Sequence, residues 1–95
     1  MDSRTLAALR GSIAKWQAIV AGTIEDEGRY NCPLCLRFFD DYCHGCPVRI
    51  DTDKLGCEGT PYEDYTASYE PAHQKKAAEA EVAYLISLLP EGELP

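Results

Sequence analysis

The residues of this chain that could do chemistry are its five cysteines, which all fall between residues 32 and 57. Their spacing is Cys32-x2-Cys35-x7-Cys43-x2-Cys46-x10-Cys57. Two C-x2-C pairs close together are typical of a tetrahedral metal site, because each short turn presents two thiolates at adjacent coordination positions. We therefore expect a structural zinc ion, with these five cysteines as the candidate ligands.

The spacing leaves open which four cysteines bind. Cys32 and Cys35 form the best-defined pair, Cys46 and Cys57 come next, and Cys43 either completes the set or remains an unliganded thiol. A site filled by four cysteines has no open position for a water molecule, whereas a catalytic zinc keeps one. We therefore expect no catalytic residues and no enzymatic activity.

Other cysteine chemistries fit the residues less well. The ferredoxin run C-x2-C-x2-C-x3-C-P agrees only at Cys46-Pro47, although an iron–sulfur cluster remains the main alternative cofactor. Haem attachment requires C-x2-C-H, and deamination requires H-x-E with P-C-x-x-C; neither pattern occurs. A thioredoxin-like role for the first pair would need a βαβ pattern, which we do not find. His44 is a weaker candidate ligand, and His73 is an ordinary exposed or capping residue of a helix.

The composition limits the class of protein. With 95 residues we expect one domain, 1–95, and the net charge of −7 opposes binding to nucleic acid. Charges at Asp2, Arg4 and Arg10 do not fit a secretory signal, and no apolar run approaches the roughly 18 residues that cross a membrane. We therefore expect a cytoplasmic protein, whose thiols stay reduced; the odd number of cysteines also favours metal over disulfides.

Two helices are predicted to position the cysteine segment. An apolar residue recurs every three or four positions from Leu6 to Val20, which predicts a helix over residues 3–27 with Asp2 or Ser3 as its cap. Pro71 begins a second helix, over residues 71–89. Its predicted apolar face consists of Ala77, Ala80, Tyr84, Leu85, Leu88 and Leu89.

Neither helix can shield its apolar face alone, so we expect a mainly α fold in which the two form a helical hairpin. Residues 28–70 would then be a cysteine-rich, metal-ordered loop region between them, since so long a loop needs something to order it. The helices could also pair between chains. A monomer is the default expectation, and a homodimer through the helices is the alternative.

The run CPLC…CHGCPV…GCEGTPY, from Cys32 to Tyr62, resembles a group of small cysteine-rich proteins of tailed bacteriophages and prophages. The resemblance covers about a third of the chain, and its specific parts are the cysteine spacings and Thr60-Pro61-Tyr62. It implies a phage-encoded, zinc finger-like protein made in a bacterial cytoplasm. It brings no established activity with it.

Aromatic and acidic residues around the cysteines indicate a binding surface. Six rings lie in or just after the cysteine segment: Phe38, Phe39, Tyr42, Tyr62, Tyr65 and Tyr69. Without a basic groove they do not favour nucleic-acid stacking. We therefore predict a non-enzymatic zinc-binding interaction protein whose partner is a host or phage protein; the alternative is an iron–sulfur or thiol redox protein.

Overall fold

The computed structural model describes residues 1–38, 44–54 and 58–93, without the side chain of Arg29. The described residues form five α-helices and one short 3-10 helix, and they contain no strand. The helices are α1 (Ser3–Ala21), α2 (Pro33–Phe38), α3 (Pro47–Thr52), α4 (Pro61–Ala67) and α5 (Pro71–Ser87), and the 3-10 helix is Gly28–Asn31. The mainly α fold class predicted from the sequence is confirmed.

The first helix begins where the sequence predicts and ends earlier. The side chain of Asp2 caps α1 by accepting a hydrogen bond from the backbone N–H of Thr5 at 2.7 Å. At the other end Gly22 adopts a left-handed conformation with φ of 79°, and its N–H returns to the last turn of the helix. The helix therefore ends at Ala21, before the predicted residue 27.

The N- and C-terminal helices form an antiparallel hairpin, as predicted. Val20 near the end of α1 lines a cavity together with Pro71 at the start of α5, while Thr5 and Leu88 share another cavity at the opposite ends. Both helices contribute buried apolar side chains to the core: Leu9, Ile13 and Trp16 from α1, and Ala78 and Leu85 from α5, with Leu89 just beyond its end.

The buried face of α5 differs from the predicted face at Ala78, which is buried, and at two further positions. Ala80 is exposed, and Glu81 is buried in the stripe instead, four residues after Ala77 and four before Leu85. A carboxyl group therefore occupies a position of the interior that the spacing reserves for an apolar side chain.

The described part of residues 28–70 is more helical than the predicted loop region. It contains α2, α3 and α4, which begin at Pro33, Pro47 and Pro61. Proline suits the first turn of a helix, since its ring fixes φ and the missing N–H has no partner there in any case. Helix α2 packs against α1, and α4 packs against α5.

The intervening helices complete the core of the hairpin. Leu34 of α2, Cys46 and Val48 belong to the same buried cluster as Leu9 and Leu85. The ring of Trp16 also forms T-shaped contacts with two tyrosines of α4, with centroid distances of 5.5 Å to Tyr62 and 5.0 Å to Tyr65. No helix among the described residues has the length and apolarity needed to cross a membrane.

Candidate metal-binding site

The Cys32–Cys35 pair forms a compact turn at the start of α2. Cys32 immediately precedes the helix, and its Sγ atom accepts a hydrogen bond from the backbone N–H of Cys35 at 3.5 Å. The carbonyl of Cys32 accepts from the N–H of Leu36 at 2.9 Å, which fixes the backbone of the turn. Pro33 begins the helix between the two cysteines. One sulfur of the turn therefore accepts a hydrogen bond from a backbone N–H, and such a bond stabilises a thiolate.

Helix α1 provides the surface on which this turn lies. The Oγ atom of Ser12 accepts a hydrogen bond from the N–H of Leu34 at 3.2 Å and is 3.8 Å from Sγ of Cys32. The preceding residue, Gly11, leaves room for the ring of Pro33: a Cβ atom at Gly11 would be 3.0 Å from Cγ of that ring. Two consecutive residues of α1 thus accommodate the cysteine turn.

The surroundings of Cys32 lower the pKa of its thiol to about 6. The largest cause is a hydrogen bond with the side chain of Cys35; burial opposes it by raising the pKa. The N–H of Cys35, the hydroxyl of Ser12 and the positive charge of Lys15 lower it further. Since a metal ion binds the thiolate, these groups favour the form of Cys32 that a metal requires.

A buried ion pair lies close to the turn. Nζ of Lys15 is 2.8 Å from Oδ1 of Asp26, 3.3 Å from the carbonyl oxygen of Gly28, and 5.1 Å from the ring centre of Trp16. Asp26 also accepts hydrogen bonds from the N–H of Gly28 and from the hydroxyl of Tyr62, each at 2.9 Å. One carboxylate therefore joins α1, the segment after it and α4.

The interior also contains Glu81, a residue that is 2% exposed. Its Oε2 atom has no hydrogen-bond partner among the described residues. The pKa of Glu81 is raised to about 7, mainly by burial and then by the negative charge of a Cys32 thiolate; a hydrogen bond with the backbone of Tyr62 and the charge of Lys15 partly offset this rise. A carboxyl group in these surroundings holds its proton up to near-neutral pH.

The structure places three of the five predicted ligands. Cys32 and Cys35 lie together in the turn, and Cys46 is buried in the apolar core at the start of α3. Cys43 and Cys57 lie outside the described residues. Among the described residues, no three His, Cys, Asp or Glu side chains converge closely enough to hold a metal ion. The part of the predicted site that the structure brings together is thus the first C-x2-C pair.

The described candidate ligands include three cysteine thiols and one exposed histidine. No disulfide joins Cys32, Cys35 or Cys46. His44, the weaker candidate ligand, is exposed in a turn, which is the usual place for a solvent-facing histidine.

A cavity of about 520 Å³ lies between the start of α1, helix α3 and the end of α5. Its described wall includes Met1, Ile50 and Leu88 with the carboxylates of Asp2 and Asp51. Among the described residues, its wall therefore offers no metal ligand of the predicted kind and no nucleophile beyond the hydroxyls of Thr5 and Ser87.

Sequence reasoning missed the polar residues that surround the turn. Ser12, Lys15 and Glu81 lie on the apolar faces of their helices, and Asp26 follows a helix that ends earlier than predicted. The sequence held one indication of their burial: Ser12 and Lys15 each directly precede a buried apolar residue of the stripe, Ile13 and Trp16.

No protein-family model, curated protein or solved structure matches this chain. The site is therefore interpreted from its own chemistry. The resemblance to phage proteins stays a prediction.

Proposed function

We propose that this chain is a small, non-enzymatic zinc-binding protein that acts by binding another protein in the cytoplasm, the partner being a host or phage protein if the chain is phage-encoded. The observation that carries the proposal is the turn at Cys32 and Cys35, in which the N–H of Cys35 donates to Sγ of Cys32 at 3.5 Å. A turn with this spacing and a backbone donor on its first sulfur suits half of a four-cysteine site.

The donor set suits zinc. Cys32 and Cys35 would hold the ion with two of the three other cysteines, Cys43, Cys46 and Cys57. Zinc when bound supplies a cross-link between parts of the chain that are distant in sequence, and its binding energy contributes to folding. The residues of the chain contribute the thiolates and the N–H donor, on a turn that is partly buried against α1.

A partner surface is supported by the apolar groups beside the turn. Tyr30 of the 3-10 helix is 74% exposed, and Leu36 of α2 is 69% exposed. They flank the two cysteines in sequence, and aromatic residues such as tyrosine are enriched at the core of protein interfaces. Ordering of the turn by zinc would fix the backbone that carries both side chains, which reduces the entropy lost on binding.

The metal is tested by elemental analysis and a visible spectrum of protein purified without oxygen. We expect one zinc ion per chain and no colour, and we expect Cys35→Ser to release it. The matched control is Ser87→Ala, which changes a hydroxyl on the exposed side of α5 and leaves the cysteines intact. A protein that holds no metal after purification and after incubation with zinc would contradict the proposal.

The partner surface is tested separately with the zinc-loaded protein. Proteins retained by the immobilised chain are identified from a bacterial lysate, with and without phage infection, and the binding of each is then measured with purified protein. We expect Tyr30→Ala with Leu36→Ala to weaken a specific partner at least tenfold. Tyr69→Ala, which alters another exposed tyrosine outside the cysteine turn, is the control. Equal binding by all variants would place the partner surface elsewhere.

The alternative function is that of an iron–sulfur or thiol redox protein. The lowered pKa of Cys32 supports it, since a thiolate is also the reactive form in disulfide exchange. Iron with sulfide and a brown colour would favour the cluster. A colourless, metal-free protein with a reversible Cys32–Cys35 disulfide would favour thiol exchange.

A further inference from the structure

We infer that Ser12 is a positioning residue of the metal site, whose hydroxyl donates a hydrogen bond to the metal-bound sulfur of Cys32 while its oxygen holds the backbone at Leu34. The inference rests on the proposed zinc site and names a residue outside the predicted ligands. It makes the first helix a part of that site.

The two contacts of Ser12 fix the direction of its hydroxyl. A serine hydroxyl has one hydrogen to donate and lone pairs that accept. The oxygen accepts from the N–H of Leu34 at 3.2 Å, so its own hydrogen is available for the second neighbour, Sγ of Cys32 at 3.8 Å. A metal-bound thiolate has no proton, so in the contact between Ser12 and Cys32 only the hydroxyl of Ser12 can then donate.

The burial of Ser12 gives this hydrogen bond its strength. The residue is 1% exposed and lies on the apolar face of α1 beside Ile13. Water does not compete for the hydroxyl at that depth, and a polar group without partners would destabilise the fold there. The cysteine turn supplies both partners, so the serine and the turn are matched to each other.

The neighbouring Gly11 permits the close approach. A Cβ atom at this position would lie 3.0 Å from Cγ and 3.3 Å from Cβ of Pro33, closer than ordinary van der Waals contact. The absence of a side chain at Gly11 thus lets α1 bring the hydroxyl of Ser12 to the sulfur. Glycine is otherwise unfavourable inside a helix.

A hydrogen bond to a coordinating sulfur changes the metal site in two measurable ways. It orients the ligand before the metal binds, and loss of such outer partners typically lowers metal affinity 10- to 100-fold. It also stabilises the sulfur lone pairs, so the charge-transfer band from sulfur to cobalt in a cobalt-substituted protein lies at higher energy with the bond than without it.

The test compares the full chain with Ser12→Ala and with the control Ser87→Ala, which removes a serine hydroxyl that donates to the carbonyl of Tyr84 on α5. Zinc affinity is measured by competition with a chromophoric chelator at constant pH and salt. The absorption of the cobalt-loaded proteins is recorded in parallel, and circular dichroism checks that each variant is folded. We expect a 10- to 100-fold weaker affinity and a shift of the cobalt band to longer wavelength for Ser12→Ala alone.

The outcomes separate this inference from the proposed function. If the unmodified chain binds no metal, the proposed function and this inference are both overturned. If it binds metal and Ser12→Ala matches it in affinity and cobalt spectrum, only the inference is overturned. Weaker affinity with an unchanged cobalt band would show that Ser12 supports the backbone at Leu34 without donating to sulfur, and this too overturns the donor role.

Discussion

Nζ of Lys15 lies 2.8 Å from Oδ1 of Asp26, and both side chains are almost completely shielded from water. Neither charge has solvent to stabilise it, so each depends on the other and on the hydrogen bonds around them. Removal of one partner would leave the second charge buried and unpaired.

Replacement of Asp26 is expected to destabilise the protein strongly. Asp26→Asn removes the negative charge opposite Lys15, and we expect the free energy of unfolding to fall by about 3–5 kcal/mol. Tyr62→Phe removes only one hydrogen bond from the same carboxylate, which is worth about 1 kcal/mol. Urea denaturation measures both. Asp51→Asn is the control, because Asp51 also accepts from a tyrosine hydroxyl, that of Tyr84, but at an exposed position. Equal effects at positions 26 and 51 would contradict the importance of the buried lysine.

The same carboxylate gives a pH dependence of known sign. Burial alone raises the pKa of Asp26, but the hydrogen bonds from Lys15, Gly28 and Tyr62 outweigh it and hold the pKa below its ordinary value. A group with a lowered pKa stabilises the fold above its unfolded pKa and loses that contribution as pH falls through the folded one. We therefore expect the difference in unfolding free energy between the unmodified protein and Asp26→Asn to shrink below about pH 4.

Glu81 gives a pH dependence of the opposite sign. Its pKa of about 7 in the folded protein lies above the ordinary value of 4.5. The unfolded chain therefore releases this proton first, and the group destabilises the fold increasingly as pH rises from about 4.5 to about 7. We expect Glu81→Gln to gain stability relative to the unmodified chain between pH 5 and pH 8, by up to about 3 kcal/mol. Glu79→Gln, an exposed change on the same helix, should show no such gain. A difference that stays constant with pH would exclude the raised pKa.

A methyl group at Gly11 is expected to be harmful in spite of its favourable helix propensity. In an exposed helix interior, alanine in place of glycine stabilises by about 1 kcal/mol. At Gly11 the added Cβ would meet the ring of Pro33 at 3.0 Å, and overpacking of this kind costs about 1–3 kcal/mol. We expect Gly11→Ala to be less stable in urea and to bind zinc more weakly. Ala14→Gly, at an exposed position of α1, measures the effect of helix propensity on stability alone. A stabilised Gly11→Ala variant would show that the turn can move away without cost.

Replacement of Cys32, the first predicted metal ligand, should act mainly on the middle of the chain. If zinc orders residues 28–70, Cys32→Ser releases the ion and removes the amide protection of that segment, while the centres of α1 and α5 remain partly protected. Hydrogen exchange with mass spectrometry measures both regions in one experiment. Stoichiometric metal and unchanged protection of the middle segment in the variant would contradict this prediction.

The hairpin was predictable because its two helices are long enough for periodicity to be evident. The stripe of Leu9, Ile13 and Trp16 is buried as expected, and Pro71 begins α5 as expected. The end of α1 was not predictable in the same way, since Gly22 is tolerated inside a helix and is also a common residue after its end. The positive φ of Gly22, which the structure shows, places this glycine after the end of the helix and not inside it.

The short helices and the polar interior escaped prediction for different reasons. Helices of six or seven residues, such as α2 and α4, make less than two full turns and cannot show a repeating apolar face; the prolines at their first positions were the available signal. The roles of Ser12 and Glu81 depend on contacts with residues far away in the sequence. Local patterns record that a polar residue interrupts an apolar face, but not which partner satisfies it.

The position of the cysteine turn on α1 has a consequence for the order in which the chain can fold as it is synthesised. Ser12 and Leu34 are 22 residues apart, whereas Arg10 and Glu93, which join α1 to the end of the hairpin, are 83 residues apart. Because of chain entropy, closure of the shorter loop costs about 1 kcal/mol less free energy than closure of the longer one. The residues of the shorter loop also leave the ribosome far earlier. The turn is thus available to cover part of the apolar face of α1 well before α5 exists, so that the first tertiary contacts of the nascent chain form around Cys32 and Cys35.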